Sequence, residues 1–480
     1  MALKPSLNVL VALCLTASAG LFFFGTGLTP VWALLWLAPI PVLWLAPRMP
    51  AGQAFLVAAA AYVLGGFNIW FYMSLVVPVW VALLNAIVPA CLFATTVVLF
   101  RHRAVRGRLW QAALIFPAFW VTYEYVTSLV SIHGTIGNIS YSQMNFVPIL
   151  QLAAVTGIWG ISFSILFFAA TVAALLGPGP TRQKQALAAM AALFFVCVFG
   201  YGFSRLARSP KNAPRIKVAL LASDDSQMVL AFTPEQTLWM YDQFAKKIRT
   251  LEGQGIQMFV LPEHSGSITD ASLAATDEKL GALARETNAF VAIGVDRIRP
   301  NISWNEERLY APDGKLVTTY HKHHLLPHWE DQFTPSTTRS TVKEASGTWG
   351  LEICKDMDFP RLSRQYANDG VGLMIVPAFD FSMDGWAHGR IAVMRGVEGG
   401  FSIARSAKRS ILYATDDRGR ILGEQDTMFL PFATVITSVP VHHDVTLYSR
   451  WGDWFAWLNI ALLATLVGAA LSLRKREETV

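Results

Sequence analysis

The sequence predicts a multi-span α-helical membrane domain joined to a layered α/β domain. Of its 480 residues, 53% are hydrophobic and 15% are charged, and the mean hydropathy of +0.40 is far from that of a soluble globular chain. The acidic residues are also unevenly distributed. Glu124 is the only one before residue 205, whereas nearly all the others lie between Asp224 and Asp453. The apolar and the polar parts of the chain are therefore expected to form separate domains.

The membrane domain is expected to cover residues 1–204 with about seven helices. A bilayer is crossed by about 20 apolar residues. The first run is kept as a span because it is long for a removable signal peptide and lacks a small-residue cleavage site. An eighth run at 453–473 predicts a C-terminal transmembrane helix. The seven N-terminal runs lie at 7–24, 30–46, 53–75, 77–100, 109–128, 160–178 and 186–204.

Basic residues predict how the chain is oriented in the membrane. The loops at 25–29, 76 and 129–159 contain no Lys or Arg, whereas the alternate loops do. Basic short loops stay in the cytoplasm, so the soluble part is expected on the extracytoplasmic face. The net charge of +6 follows from this arrangement, and no nucleic-acid partner is expected. The basic residues are Lys4, Arg48, the cluster from Arg101 to Arg108, Arg182, Lys184 and Arg474-Lys475-Arg476.

The soluble part, residues 215–442, alternates between strand and helix patterns. Strands interleaved with helices are typical of a layered α/β domain, although periodicity does not distinguish one sheet from two. Helices are expected at 234–253, 271–287 and 387–402. Strands are expected at 216–221, 258–261, 289–295, 316–320, 371–377 and 433–439, with another just before Cys354 and a turn at Pro312-Asp313-Gly314.

Three polar residues stand at the ends of apolar strands: Glu263, Lys322 and Cys354. Strand ends can bring side chains together in one pocket. A carboxylate can remove a thiol proton, a cation can stabilise an oxyanion, and a thiolate can accept an acyl group. Cys354 has no second cysteine in the soluble part with which to form a disulfide. Each residue also has a structural alternative. Cys354 would then be an inert buried cysteine, Glu263 a carboxylate that caps a helix or a turn, and Lys322 a solvated loop charge.

The motifs around these residues resemble a known signature. They are Leu261-Pro262-Glu263, the stretch from Tyr320 to Pro327 around Lys322, and Glu352-Ile353-Cys354-Lys355-Asp356. This pattern resembles the Glu–Lys–Cys signature of the nitrilase, or carbon–nitrogen hydrolase, superfamily. The resemblance implies a nitrilase-type α-β-β-α sandwich, with Glu263 as general base, Lys322 as oxyanion stabiliser and Cys354 as nucleophile. It also implies supporting roles for Glu330 and Asp356.

The transmembrane spans narrow the resemblance to the bacterial apolipoprotein N-acyltransferases. That family implies acyl transfer from a phospholipid, through a thioester on Cys354, to the N-terminal amine of a diacylglyceryl-cysteine lipoprotein. It further implies a bacterial inner membrane location with the catalytic domain outside the cytoplasm, and no cofactor. A monomer is the default expectation, because the sequence does not reveal the oligomeric state. The stretches outside the three motifs that carry the resemblance are Trp120 to Glu124, Tyr141 to Gln143, Leu152 to Phe163 and His388 to Ala407.

Two departures from the family pattern leave the acyl acceptor open. Lys355 stands where the acyltransferases usually have an aromatic residue, and Pro377-Ala378-Phe379-Asp380 replaces a Ser-Asn-Asp stretch. A membrane-tethered amidase or nitrilase, with water as acceptor, is therefore the main alternative. A nonenzymatic scaffold or transporter is a third possibility.

Several other side chains have two interpretations. Glu124 lies in an apolar span, where an ionisable residue is either functional or structural. The apolar side chains at 379, 381, 383 and 386 either line a path from the bilayer or pack in the core. No metal site is expected at His321, His323, His324 and His328, because three of them lie within four residues and no second ligand cluster accompanies them.

Overall fold

The computed structural model describes residues 6–208 and 212–478, which form two compact units. The first, here called the membrane unit, comprises residues 6–131, 137–207 and 453–478. The second, called the sheet unit, comprises residues 132–136, 208 and 212–452. Lys4, one of the residues behind the predicted orientation, lies outside the described residues. The predicted domain boundaries remain predictions.

The secondary-structure elements described for the membrane unit are all helices. Among the described residues, six helices are long and apolar enough to cross a membrane by length and composition. The predicted span 30–46 corresponds to a shorter apolar stretch, Trp32–Arg48, in which Pro39 separates the helix Trp32–Leu37 from the helix Ile40–Leu45. The predicted span 453–473 falls within the helix Trp454–Glu478, of which Trp454–Gly468 is the apolar part described. The helices are α1 (Leu7–Gly25), α2 (Trp32–Leu37), α3 (Ile40–Leu45), α4 (Ala51–Gly65), α5 (Trp70–Val76), α6 (Val79–Ala104), α7 (Leu109–Val130), α8 (Val147–Leu150), α9 (Ala153–Thr156), α10 (Ile158–Leu176) and α11 (Thr181–Ala207), with a last helix at Trp454–Glu478.

The sheet unit contains two β-sheets. The first has the strand order β13-β1-β2-β4-β5-β6 with β3 beside β4, and the second has the order β12-β11-β10-β9-β8-β7. The strands are β1 (Arg215–Ala222), β2 (Met258–Val260), β3 (Ser267–Ile268), β4 (Phe290–Arg297), β5 (Trp304–Tyr310), β6 (Leu316–His321), β7 (Ser340–Glu344), β8 (Gly347–Leu351), β9 (Leu373–Phe379), β10 (Ser402–Lys408), β11 (Ile411–Thr415), β12 (Ile421–Asp426) and β13 (Ala433–Pro440).

Alternation along the strands explains how the layers pack. In β1, Val218 and Leu220 face the second sheet, where they join a core with Trp349 and Ile375. Their neighbours face the opposite way and are covered by helices α12 and α13. Helices α14 and α15 cover the outer face of the second sheet. The α-β-β-α sandwich is thus confirmed. The helices are α12 (Pro234–Arg249), α13 (Leu273–Thr287), α14 (Pro360–Asn368), α15 (Gly385–Gly399) and α16 (Leu447–Trp451).

Helix α15 ends earlier than the predicted boundary at residue 402, and the reason is steric. Gly400 has a φ of +71°, and a Cβ at this position would lie 1.8 Å from the carbonyl oxygen of Asp444. Only glycine fits there, so the chain leaves the helix and enters β10. Strand β9 lies beside β10 and, like β8, leads towards the candidate site.

Candidate active site

Cys354 lies on a sharp turn that follows β8. It begins a single 3-10 turn, Cys354–Asp358, and has a φ of +44°. A non-glycine residue in this region of backbone space is strained by about 1–3 kcal/mol, and such strain concentrates at functional sites. The turn holds the side chain at the end of the sheet, where it is partly exposed.

Asp356 supports this turn from within. Its fully buried carboxylate accepts hydrogen bonds from the Tyr320 hydroxyl at 2.7 Å, the His324 backbone N–H at 2.8 Å and the Ile353 N–H at 3.3 Å. Burial alone would raise the pKa of Asp356, but the contacts with His324 and Tyr320 and the charge of Lys322 together hold that pKa below its usual value. Asp356 therefore ties the end of β6 to the turn that carries Cys354.

Lys322 lies between two buried carboxylates. Its Nζ is 2.8 Å from Glu263 Oε1 and 2.9 Å from Glu330 Oε2, and all three side chains are at most 4% exposed. Burial by itself would lower the pKa of Lys322, but the charges of Glu263 and Glu330 raise it well above its usual range. Burial would raise the pKa of Glu330, yet Lys322, His264 and the Leu326 N–H together hold it below its usual value. The structure therefore brings these three sequence-predicted residues together as one charged cluster.

Two further residues, neither of them among the sequence-predicted site residues, complete this cluster. The Asn305 Nδ2 donates to Glu263 Oε1 at 2.6 Å and to Glu330 Oε1 at 2.5 Å. His264 Nδ1 lies 2.6 Å from Asp296 Oδ1, and its Nε2 lies 3.7 Å from both glutamates. His264 directly follows Glu263 in the sequence, and this adjacency was enough to predict a place for it in the site. Asn305 is an uncharged residue at the start of a strand and gave none.

The Cys354 thiol has hydrogen-bond partners outside the Lys322 cluster. Among the described residues, the sulfur donates to the Phe379 carbonyl at 3.6 Å and to Asp380 Oδ1 at 3.7 Å. Asp380 is held by Arg405 Nη2 at 2.7 and 2.8 Å. Burial raises the pKa of Cys354 well above its usual value, Glu263 adds to this effect and Lys322 opposes it. The resting group is therefore a thiol, so its reaction requires a base.

The histidines near Lys322 have three separate partners. His321 contacts Glu306 at 2.8 Å, His323 contacts the Thr338 carbonyl at 3.1 Å and His324 contacts Asp356. A different set, Glu263, His264 and Glu330, has ligand atoms within 4.8 Å of one another. The Lys322 ammonium contacts both of those carboxylates and supplies positive charge to them.

An apolar edge borders the site. Trp329, which is 63% exposed, packs edge-on against Phe381 with ring centroids 5.3 Å apart. Met383 is also exposed, whereas Phe379 and Trp386 are partly buried. These side chains flank Glu330 and Asp380 in sequence.

Glu124 belongs to the membrane unit and has a structural contact there. Its Oε1 accepts a hydrogen bond from the Ile139 backbone N–H at 2.9 Å, and the side chain is buried. This bond fixes the short 3-10 helix Ile139–Gln143. We assign Glu124 no catalytic role.

Comparisons with known proteins cover almost the whole chain. Residues 18–171 match the model of the apolipoprotein N-acyltransferase N-terminal domain, and residues 204–429 match that of the carbon-nitrogen hydrolases. An apolipoprotein N-acyltransferase of Geobacter metallireducens is 24% identical over 98% of this chain and 96% of its own length. That of Rickettsia prowazekii is 24% identical over 82% of this chain and 85% of its own. Among solved structures, an amidase from Nesterenkonia sp. is 18% identical with a TM-score of 0.42, over 52% of this chain and 97% of that one.

Proposed function

Because this chain belongs to the apolipoprotein N-acyltransferase family, a membrane branch of the carbon–nitrogen hydrolases, we propose that it completes the acylation of bacterial lipoproteins. The acyl donor is a phospholipid, and the acceptor is the N-terminal amine of a diacylglyceryl-cysteine lipoprotein. The enzyme is a multi-pass bacterial membrane protein. We further propose that the sheet unit lies on the extracytoplasmic face, as the basic loops predict, and that the enzyme is a monomer.

In the first step, Cys354 takes the acyl chain from the donor. Glu263 removes the thiol proton and the sulfur attacks the ester carbonyl, while Lys322 stabilises the oxyanion. The ester C–O bond then breaks, and Glu263 returns the proton to the departing alkoxide. The products are a thioester on Cys354 and a lysophospholipid.

In the second step, the amine of the acceptor attacks the thioester carbonyl. A C–N bond forms, the C–S bond breaks, and the proton lost by the amine passes through Glu263 to the thiolate of Cys354. The product is an amide, and the thiol is restored. Long acyl chains on both substrates give the membrane unit a physical role, because burying each CH₂ group is favourable by about 0.8 kcal/mol.

The observation that supports this proposal most directly is the buried contact between Lys322 Nζ and Glu263 Oε1 at 2.8 Å. This pair offers a base and a cation to a thiol that is protonated at rest. Glu330 and Asn305 hold Glu263 and Lys322 in place, which leaves little freedom for the base to rotate away. Preorganised groups of this kind lower the barrier without reorganising during the reaction.

The experiment is a transfer assay on the full chain purified in detergent. Phospholipid with labelled acyl chains is incubated with a diacylated lipopeptide, and mass spectrometry follows the label. We expect labelled amide on the lipopeptide, no transfer by Cys354→Ala, and normal transfer by the matched control Cys91→Ala, which alters an exposed thiol of α6. Free fatty acid as the only labelled product would favour the hydrolase alternative, and full transfer by Cys354→Ala would exclude Cys354 as nucleophile.

A further inference from the structure

Lys355 is a buried cation directly after the candidate nucleophile. Its side chain is 4% exposed, and its Nζ lies 3.0 Å from His133 Nδ1 and 5.5 Å from the Phe359 ring centroid. Within residues 6–208 and 212–478, Lys355 forms no ion pair with a carboxylate at 4.0 Å or less. A buried ammonium without a counter-charge is costly, so this position favours the binding of an anion.

The contrast with Lys322 shows how unusual this position is. Both lysines interact electrostatically with Cys354. Lys322 is compensated by direct contacts with Glu263 and Glu330, whereas the hydrogen-bond partner of Lys355 is an imidazole. The two cations near the nucleophile are therefore not equivalent, and only one of them has its charge balanced by the protein.

The other charges around Lys355 do not supply the missing balance. Asp358 acts on it from beyond direct contact, but His388 Nδ1 lies 3.7 Å from Asp358 Oδ1 and its Nε2 lies 3.2 Å from Asp384 Oδ2. Burial would lower the pKa of His388, yet Asp384 and Asp358 raise it well above its usual value. The charge of Asp358 is thus shared with a protonated imidazole, while Lys322 adds a further positive charge that acts on Lys355.

His133 fixes the direction of the Lys355 amine. Burial and Lys355 lower the pKa of His133 to about 4, so its Nδ1 is a neutral acceptor at physiological pH. The adjoining Thr135 donates to the Asp358 carbonyl from its N–H at 3.0 Å and its hydroxyl at 2.9 Å. A lysine ammonium has three N–H groups. With one of them directed to His133, two are left for a ligand.

We propose that Lys355, oriented by His133, binds the phosphate of the phospholipid acyl donor. This inference rests on the proposed function. The acceptor presents an amine, which is itself a cation in its protonated form. The donor carries a phosphodiester separated only by its glycerol from the ester that Cys354 attacks. Lysine binds phosphate as a point charge, and the bound phosphate supplies the counter-charge that Lys355 lacks.

The test isolates the first half-reaction. Full-length enzyme in detergent, without acceptor, is mixed with phosphatidylglycerol or with a diacylglycerol of the same chains. Rapid quenching and mass spectrometry then give the rate of thioester formation on Cys354. We expect the wild type to form the thioester faster with the phospholipid than with diacylglycerol. In Lys355→Met, the efficiency of thioester formation should fall roughly 10- to 100-fold with the phospholipid, which is the effect of losing a hydrogen bond to a charged group. The fall with diacylglycerol should be far smaller.

Two further variants separate phosphate binding from damage to the fold. Lys355→Arg keeps the charge and should recover most of the preference, while His133→Gln keeps an acceptor and should weaken it only in part. Equal acylation of the wild type by both donors would overturn the inference, as would equal losses with both donors in Lys355→Met. Both results leave the proposed function standing. A wild type that forms no thioester with either donor would overturn the proposed function and this inference together.

Discussion

Replacing Lys322 with methionine would remove the ammonium that lies between two buried carboxylates. The wild-type side chain contacts Glu263 at 2.8 Å and Glu330 at 2.9 Å, and none of the three groups is more than 4% exposed. Methionine fills a similar volume but provides no charge and no hydrogen bond. The variant therefore leaves two carboxylates buried without the cation that balances them.

The expected loss of stability follows from this burial. Breaking a buried ion pair by removing one partner costs about 3–5 kcal/mol. For a unit of this size, each kcal/mol changes the apparent Tm by roughly 2–4 °C, so Lys322→Met should unfold roughly 6–20 °C below the wild type. Removing one carboxylate as well, in Lys322→Met/Glu330→Gln, should recover part of that loss because one of the repelling charges is then absent.

The loss of stability in Lys322→Met should also depend on pH, in a direction set by the pKa of Glu330. In the wild type the pKa of Glu330 is lowered, so its stabilisation is present above the pKa of the unfolded carboxyl, about 4.3, and is lost as the pH falls through the folded value. Without Lys322, burial dominates and the folded pKa is raised. Stabilisation is then present at low pH and lost as the pH rises. The deficit of the variant should therefore be smaller at pH 5 than at pH 8.

The assay is thermal unfolding of the full chain in detergent, followed by tryptophan fluorescence at both pH values. Lys315→Met is the matched control, because Lys315 is 83% exposed and pairs with Asp313 at the surface. An exposed pair is worth about 0–1 kcal/mol, so this control should unfold close to the wild type. The reasoning is refuted if Lys322→Met matches the control, or if adding Glu330→Gln lowers the Tm further.

The same geometry affects the reactivity of Cys354, the segment at 132–136 and the pH dependence of stability. Because burial raises the pKa of Cys354, its alkylation by iodoacetamide, followed on the Cys354 peptide, should still accelerate above pH 9, and a plateau below pH 8 would contradict this. In Gly134→Ala, the new Cβ would lie 2.4 Å from the Asp358 carbonyl oxygen, so it should displace residues 132–136 and lower the activity by at least roughly 10-fold. Gly137→Ala is the control, because Gly137 also has a positive φ but lies in open space, and its loss of activity should be far smaller. Equal losses in the two variants would refute the steric argument. The charges of Asp296 and Glu263 outweigh burial and raise the pKa of His264 to about 9. The stability of the wild type should therefore fall as the pH rises from 7 to 9. If a His264→Gln variant shows the same decline, His264 is not the group responsible for it.

Much of the fold was predictable because it depends on local patterns. Apolar runs identified the helices of the membrane unit, and strand ends identified Glu263, Lys322 and Cys354. The end of α15 was not predictable, since it depends on a contact between Gly400 and a carbonyl more than forty residues later. The two-sheet arrangement came from the resemblance, because strand periodicity gives alternating faces but does not assign strands to sheets.

The rest of the site depends on long-range contacts that no local pattern shows. His133 contacts Lys355 across more than two hundred residues of sequence, from a short segment between apolar runs. Arg405 sits in a buried strand, and its ion pair with Asp380 places a carboxylate beside the thiol. A charged residue within an apolar strand predicts a buried partner, but the identity of that partner required the structure.

The central claim is that Cys354 carries the acyl chain between two substrates. The most direct measurement is a chase experiment: enzyme loaded with labelled phospholipid is freed of donor, and the mass of the Cys354 peptide is followed after adding a diacylated lipopeptide. We predict a fatty thioester on Cys354 that is stable until the lipopeptide is added and then disappears as labelled amide forms in equal amount. A label that never resides on Cys354, or that leaves only as free fatty acid, would contradict the mechanism.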